Sequence, residues 1–137
     1  MDAAMPTEQL PDQKQSLAGT RVLLIEDEYY IADDVRRILA AAGAEIVGPV
    51  ATVAAANSAI DEGAFDCVVL DLNLQGESAV PVGDRLIAEN RVFAIATGYG
   101  SPAVPDRLKV APRIEKPYDP EVLLKLVERL DCERPRL

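Results

Sequence analysis

Histidine is absent from all 137 residues. That excludes His-based zinc sites, Ser-His-Asp triads and any role as a phosphohistidine carrier. Cysteine is scarce: Cys67 and Cys132 stand far apart without metal-ligand spacing. Cys67 lies in an apolar run and reads as a small core residue, while Cys132 sits near the C-terminus. A structural disulfide is not expected, and a reducing, cytoplasmic setting fits. No apolar run approaches membrane-spanning length, and the first residues lack the basic and apolar blocks of a secretory signal. Association with a membrane is not expected. Positive charge is thin: 14 Lys and Arg face 23 Asp and Glu, a net charge of −9, with no basic stripe. Nucleic acid is therefore not an expected partner.

What the chain does have is enough apolar residues, 49%, and enough length for one domain with a core, but too little for two. Residues 1–19, with Pro6, Pro11 and scattered Gln and charge, read as a mobile tail that packs little. From Arg21 to about 131, strand-like and helix-like segments alternate, and 132–137 read as a second short tail. The alternation predicts an α/β fold: a doubly wound, five-stranded parallel sheet with helices on both faces.

Strands are expected near 21–26, 45–50, 66–71, 92–96 and 113–115. The first helix, near 28–42, shows Ile31, Val35, Ile38, Leu39 and Ala42 on one face. Gly43 offers a left-handed stop, with Arg36 and Arg37 placed towards the negative end of the dipole. A second helix near 53–62 has Thr52 as N-cap, and a third, interrupted by Pro81 and Gly83, runs from Val80 to Asn90. Pro102, Pro105 and Pro112 leave room only for a short helix near 104–109. The last helix starts with Asp119 as cap and Pro120 at its first position, then buries Leu123, Leu126, Val127 and Leu130.

Two of the apolar runs end in acid. Val22-Leu23-Leu24-Ile25 is followed by Glu26-Asp27, and Val68-Val69-Leu70 by Asp71. Parallel strands would bring the three carboxylates to one rim, where their repulsion calls for a cation or raised pKa values. Thr97 and Lys116 end two further strands and add a hydroxyl and an ammonium to the same rim. In open sheets of this kind, chemistry sits at the carboxyl ends of the strands. The set suits binding Mg²⁺ and taking a phosphoryl group onto Asp71.

The order Glu26-Asp27, Asp71, Thr97, Lys116-Pro117 resembles the receiver domain of two-component response regulators, over about residues 20–131. The resemblance implies a flavodoxin-like (βα)5 domain. In it, Asp71 is the phosphoacceptor, Asp27 a direct Mg²⁺ ligand, and Glu26 a ligand through coordinated water or a longer reach. Asn73 would supply its backbone carbonyl to the metal and turn its side chain to the phosphoryl pocket. Thr97 would donate to a phosphoryl oxygen, and Lys116, aimed by a cis bond to Pro117, would pair with Asp71 and later with phosphate.

The position where receivers commonly carry a switching aromatic is Arg113 here. The run Phe93-Ala94-Ile95-Ala96-Thr97-Gly98-Tyr99-Gly100 instead is similar to the signature of a stand-alone receiver subgroup in alphaproteobacterial general stress signalling. Movement of Gly98, Tyr99 and Gly100 is then expected to replace the usual switch, with the Pro-rich stretch after it mobile before phosphorylation. The expected partner is a sensor histidine kinase or a histidine phosphotransfer protein. The chain is expected to be a monomer, and not an enzyme beyond its own phosphorylation and dephosphorylation.

Three alternatives stand beside this. An aspartyl-nucleophile phosphohydrolase would want an acid where Asn73 stands, and the amide is a poor proton donor. A receiver that scaffolds without accepting phosphate, or a receiver module from a longer kinase, would carry the same residues.

Overall fold

In the computed structural model, residues 15–98 and 103–135 are described. Five parallel strands form one sheet: β1 (Arg21–Ile25), β2 (Glu45–Val50), β3 (Cys67–Asp71), β6 (Phe93–Thr97) and β7 (Arg113–Glu115). Their order is β2-β1-β3-β6-β7. The chain therefore winds outward in one direction from β1, then crosses to the other side from β3. The carboxyl ends of β1 and β3, neighbours at the centre, are where that reversal opens a crevice.

Side chains alternate across each strand, and this divides the core in two. Val22, Leu24, Cys67, Val69, Ala94 and Ala96 face α1 (Tyr29–Ala41) and α4 (Pro120–Glu133). Leu23, Ile25, Val68, Leu70 and Ile95 face α2 (Val53–Glu62) and α3 (Val80–Ala88). The central strands are buried on both faces, which is why they read as continuous apolar runs rather than alternating ones.

Helix ends follow the expected chemistry at several points. Thr52 Oγ1 accepts the Ala55 N–H at 3.0 Å, and Asp119 accepts from Glu121 at 2.9 Å with Pro120 in the first turn. Gly43, just beyond the end of α1, takes φ of +99°, the left-handed conformation a helix stop needs. Arg36 and Arg37, by contrast, lie short of the last turn of α1, which holds no basic residue; both pair with Asp33, at 2.6 and 3.1 Å.

The folded body departs from the expected boundaries at both ends. Leu17, placed in the expected 1–19 tail, is completely buried in the α1/α4 side of the core, and its N–H donates to Ala42 at 2.8 Å. One apolar side chain was enough to draw the turn before β1 against the sheet. At the other end α4 continues past 131 to Glu133, and Arg134 pairs with Asp66. Residues 1–14 and 136–137 of the two expected tails lie outside the described residues.

Two connections also differ. The fourth β/α unit closes with a single 3₁₀ turn, Asp106–Leu108, instead of a helix over 104–109. Pro105 before it and Pro112 after it confine the helical stretch to the six residues between them. An unexpected antiparallel hairpin, β4 (Asn73–Leu74) and β5 (Glu77–Ser78), stands between β3 and α3. Among the described residues, no helix is long and apolar enough to cross a membrane.

Candidate functional site

Parallel pairing of β1 with β3 sets Ile25 opposite Leu70, so the residues that follow each strand emerge side by side. Oxygen atoms of Glu26, Asp27 and Asp71 lie within 4.8 Å of one another. β7 brings the fourth group: the Lys116 N–H donates to the Thr97 carbonyl at 2.7 Å, and the peptide bond to Pro117 is cis. The Lys116 ammonium then reaches Asp71 Oδ2 at 2.6 Å and Glu26 Oε1 at 2.7 Å, with Glu28 at 3.9 Å.

Burial decides how these charges behave. Glu26 is 3% exposed, and its pKa is pushed up to about 7 because desolvation outweighs the hydrogen bonds from Lys116 and the Glu28 N–H. Burial alone would lower the Lys116 pKa, but its hydrogen bonds to Asp71 and Glu26 prevail and raise it, so it remains a cation. Asp71 is 9% exposed and accepts the Asn73 N–H on Oδ1 at 2.9 Å. Asp27 is half-buried, and its Oδ2 accepts the Gln75 N–H at 2.9 Å.

The donor set fits Mg²⁺. Three carboxylates and one ammonium leave two negative charges uncompensated when all are ionised, and hard oxygen ligands suit a hard divalent cation. Asp27 keeps one carboxylate oxygen without a protein hydrogen bond among the described residues, whereas Asp71 accepts from the Asn73 N–H on Oδ1 and from Lys116 on Oδ2.

Glu26, Asp27, Asp71, Lys116 and Pro117 thus converge as the sequence implied. Two neighbours are engaged within the protein itself. The Asn73 Oδ1 accepts the Gly76 N–H at 3.0 Å and braces the hairpin. The turn's backbone needs an acceptor there, and the amide supplies it. The Thr97 hydroxyl donates to the Ile114 carbonyl, at the long distance of 3.5 Å. Gly98 is described, whereas Tyr99 and Gly100, the rest of the expected switch, lie outside the described residues. Arg113 is exposed on β7.

Two features were not anticipated. One is the hairpin amide on Asp27, for which Gln75-Gly76 between Leu74 and Glu77 was the only sequence signal. The other is Tyr118, whose hydroxyl is buried without a hydrogen-bond partner among the described residues. Burial first, and then the carboxylates of Glu26, Asp71 and Glu28, hold that phenol well above its usual pKa, so it stays protonated.

No protein-family model matches the chain, nor does any curated protein. Solved structures do. The chain is similar to SdrG from Sphingomonas melonis Fr1, at 34% identity over 81% of this chain and 95% of SdrG, with a TM-score of 0.74. The BeF3-activated conformation of SdrG, from Pseudomonas melonis Fr1, aligns at 33% identity over 82% of this chain and 98% of that one, TM-score 0.67. The response regulator PhyR from Brucella abortus is 25% identical over 87% of this chain and 51% of PhyR, TM-score 0.68. A CheY-like response regulator receiver domain from Methylobacillus flagellatus shares the fold at 22% identity, covering 81% of this chain and 98% of that one with a TM-score of 0.70.

Proposed function

The chain belongs to the response regulator receiver family, and from that premise we propose that it accepts a phosphoryl group on Asp71 in a Mg²⁺-dependent step of two-component signalling. The observation that carries this is the Lys116 ammonium bridging Asp71 and Glu26 beside Asp27. A carboxylate meets a phosphoryl group poorly in water because both are anionic; here the approach is flanked by cationic charge.

Asp71 attacks the phosphorus of a phosphohistidine on a sensor kinase or phosphotransfer protein. The O–P bond forms as the N–P bond breaks, and the imidazole leaves with the bond's electron pair. Asp27, Asp71 and the Asn73 carbonyl, with Glu26 beside them, would hold Mg²⁺, which would supply charge neutralisation on both anions. Lys116 exchanges Glu26 for a phosphoryl oxygen, and the weakly held Thr97 hydroxyl leaves Ile114 to donate to another. Those two movements shift the 98–112 surface between two populations, with Tyr99 as the reporter. Water later attacks phosphorus, releasing inorganic phosphate and restoring the Asp71 carboxylate.

The role is that of a signalling acceptor, not a turnover enzyme, in a cytoplasmic stress pathway of the kind PhyR represents as "stress response regulator". A phosphohydrolase is disfavoured because the Asn73 side chain offers no ready proton and is already engaged on Gly76. Incubation with a panel of autophosphorylated histidine kinases, with and without Mg²⁺, tests the reading. Transfer should require Mg²⁺ and vanish in Asp71→Asn; transfer undiminished in Asp71→Ala would refute it.

A further inference from the structure

The hairpin between β3 and α3 is costly for this sequence. Its ladder pairs Asn73 with Ser78 and Leu74 with Glu77 around the turn Gln75-Gly76, whose φ values are +56° and +86°. Two consecutive left-handed residues favour Asn-Gly or Gly-Gly, and glutamine in the first place is strained. Nor does burial hold the turn, since Gln75, Gly76 and Glu77 are exposed and Leu74 alone is buried.

What the conformation achieves is a pair of hydrogen bonds. The Asn73 N–H donates to Asp71 at 2.9 Å, and the Gln75 N–H donates to Asp27 at 2.9 Å. One three-residue segment therefore holds carboxylates from the ends of two different strands, while the Asn73 side chain locks the turn by accepting the Gly76 N–H. Strain retained beside a site marks geometry that the site uses.

We infer that the 73–78 hairpin is a positioning element for the cation: the Gln75 N–H fixes one Asp27 oxygen so that the other is presented to Mg²⁺ beside Asp71. This rests on the reading of Asp27 as a Mg²⁺ ligand. Without the amide, the half-buried Asp27 side chain samples other rotamers and the ordering must be supplied at binding. Gln75 touches neither phosphate nor metal in this arrangement; it acts through Asp27.

Gly76 permits a clean test. A Cβ built there meets nothing within 4 Å, so Gly76→Val acts through the backbone, which cannot easily hold φ of +86° with a β-branched side chain. Gln75→Asn keeps the N–H and suits the left-handed turn better. The probe is Mg²⁺ alone, titrated into protein stripped with chelator. Fluorescence of Tyr29 and Tyr30, both exposed beside the acids, and the amide shift of residue 75 report binding.

Gly76→Val should weaken Mg²⁺ binding about fivefold, the scale of one ordered hydrogen bond, while the protein stays folded in chelator. Gln75→Asn should bind at least as tightly as wild type. Should Gly76→Val fail to fold, Gly76→Ala replaces it, with a smaller loss in the same direction. Equal affinities for wild type and the Gly76 variant overturn the hairpin's role alone. Failure of wild-type protein to bind Mg²⁺ overturns the metal reading and this inference together.

Discussion

Removing the titratable group from position 26 should abolish a specific pH dependence of stability. Glu26 is buried, and its pKa rises from 4.5 to about 7 in the fold. A carboxyl raised in the folded state takes up a proton on folding, so its contribution is fully present below 4.5 and is lost as pH rises through 7. At 1.36 kcal/mol per pKa unit the loss is at most about 3 kcal/mol, and sharing of charge with Lys116 brings the working figure to ~1–2 kcal/mol. Asp33, Asp66 and Asp84, whose pKa values are lowered by arginine partners or backbone N–H, act with the opposite sign and below their usual 3.8, outside this window.

The assay is urea unfolding in chelator at intervals from pH 5 to 8, comparing wild type with Glu26→Gln. Wild-type stability should fall across the interval and the variant's should stay flat, whatever its absolute value. With excess Mg²⁺ the wild-type trend should reverse, because the cation binds ionised carboxylates. Parallel curves for the two proteins without metal would show that Glu26 does not hold the buried proton.

Other substitutions probe separate parts of the account. Tyr118→Phe deletes a buried hydroxyl that has no partner among the described residues, so its urea midpoint should match wild type or rise, by up to ~1 kcal/mol of stability; a clear loss would mean the hydroxyl is hydrogen-bonded in solution. Thr52→Ala removes the acceptor for the Ala55 N–H and should cost about 1 kcal/mol in the same assay; no change would mean that α2 is capped by solvent just as well.

Most of the architecture was legible because buried parallel strands and one-sided helices leave strong patterns. Thr52 and Asp119 mark the starts of α2 and α4 through side-chain chemistry that acts locally. The acid site was legible for a related reason: a polar residue ending an apolar run has few places to go but the sheet's rim. What escaped depended on contacts between distant residues. Leu17 gives no periodic signal, yet its burial moves the start of the folded body. The hairpin is only two residue pairs long, and Gln75 is an unfavourable choice for its turn, so Gln75-Gly76 announced it only faintly. The hydrogen bond from the Gly76 N–H to Asn73 Oδ1 depends on the turn's shape, which the sequence did not show.

The central claim concerns one oxygen-phosphorus bond. After phosphotransfer from a histidine kinase in Mg²⁺, borohydride reduces an aspartyl phosphate to homoserine, and peptide fragmentation locates it. Homoserine at position 71, absent when Mg²⁺ is chelated, is the predicted outcome. Modification at any other acid, or undiminished modification without the metal, would contradict the account.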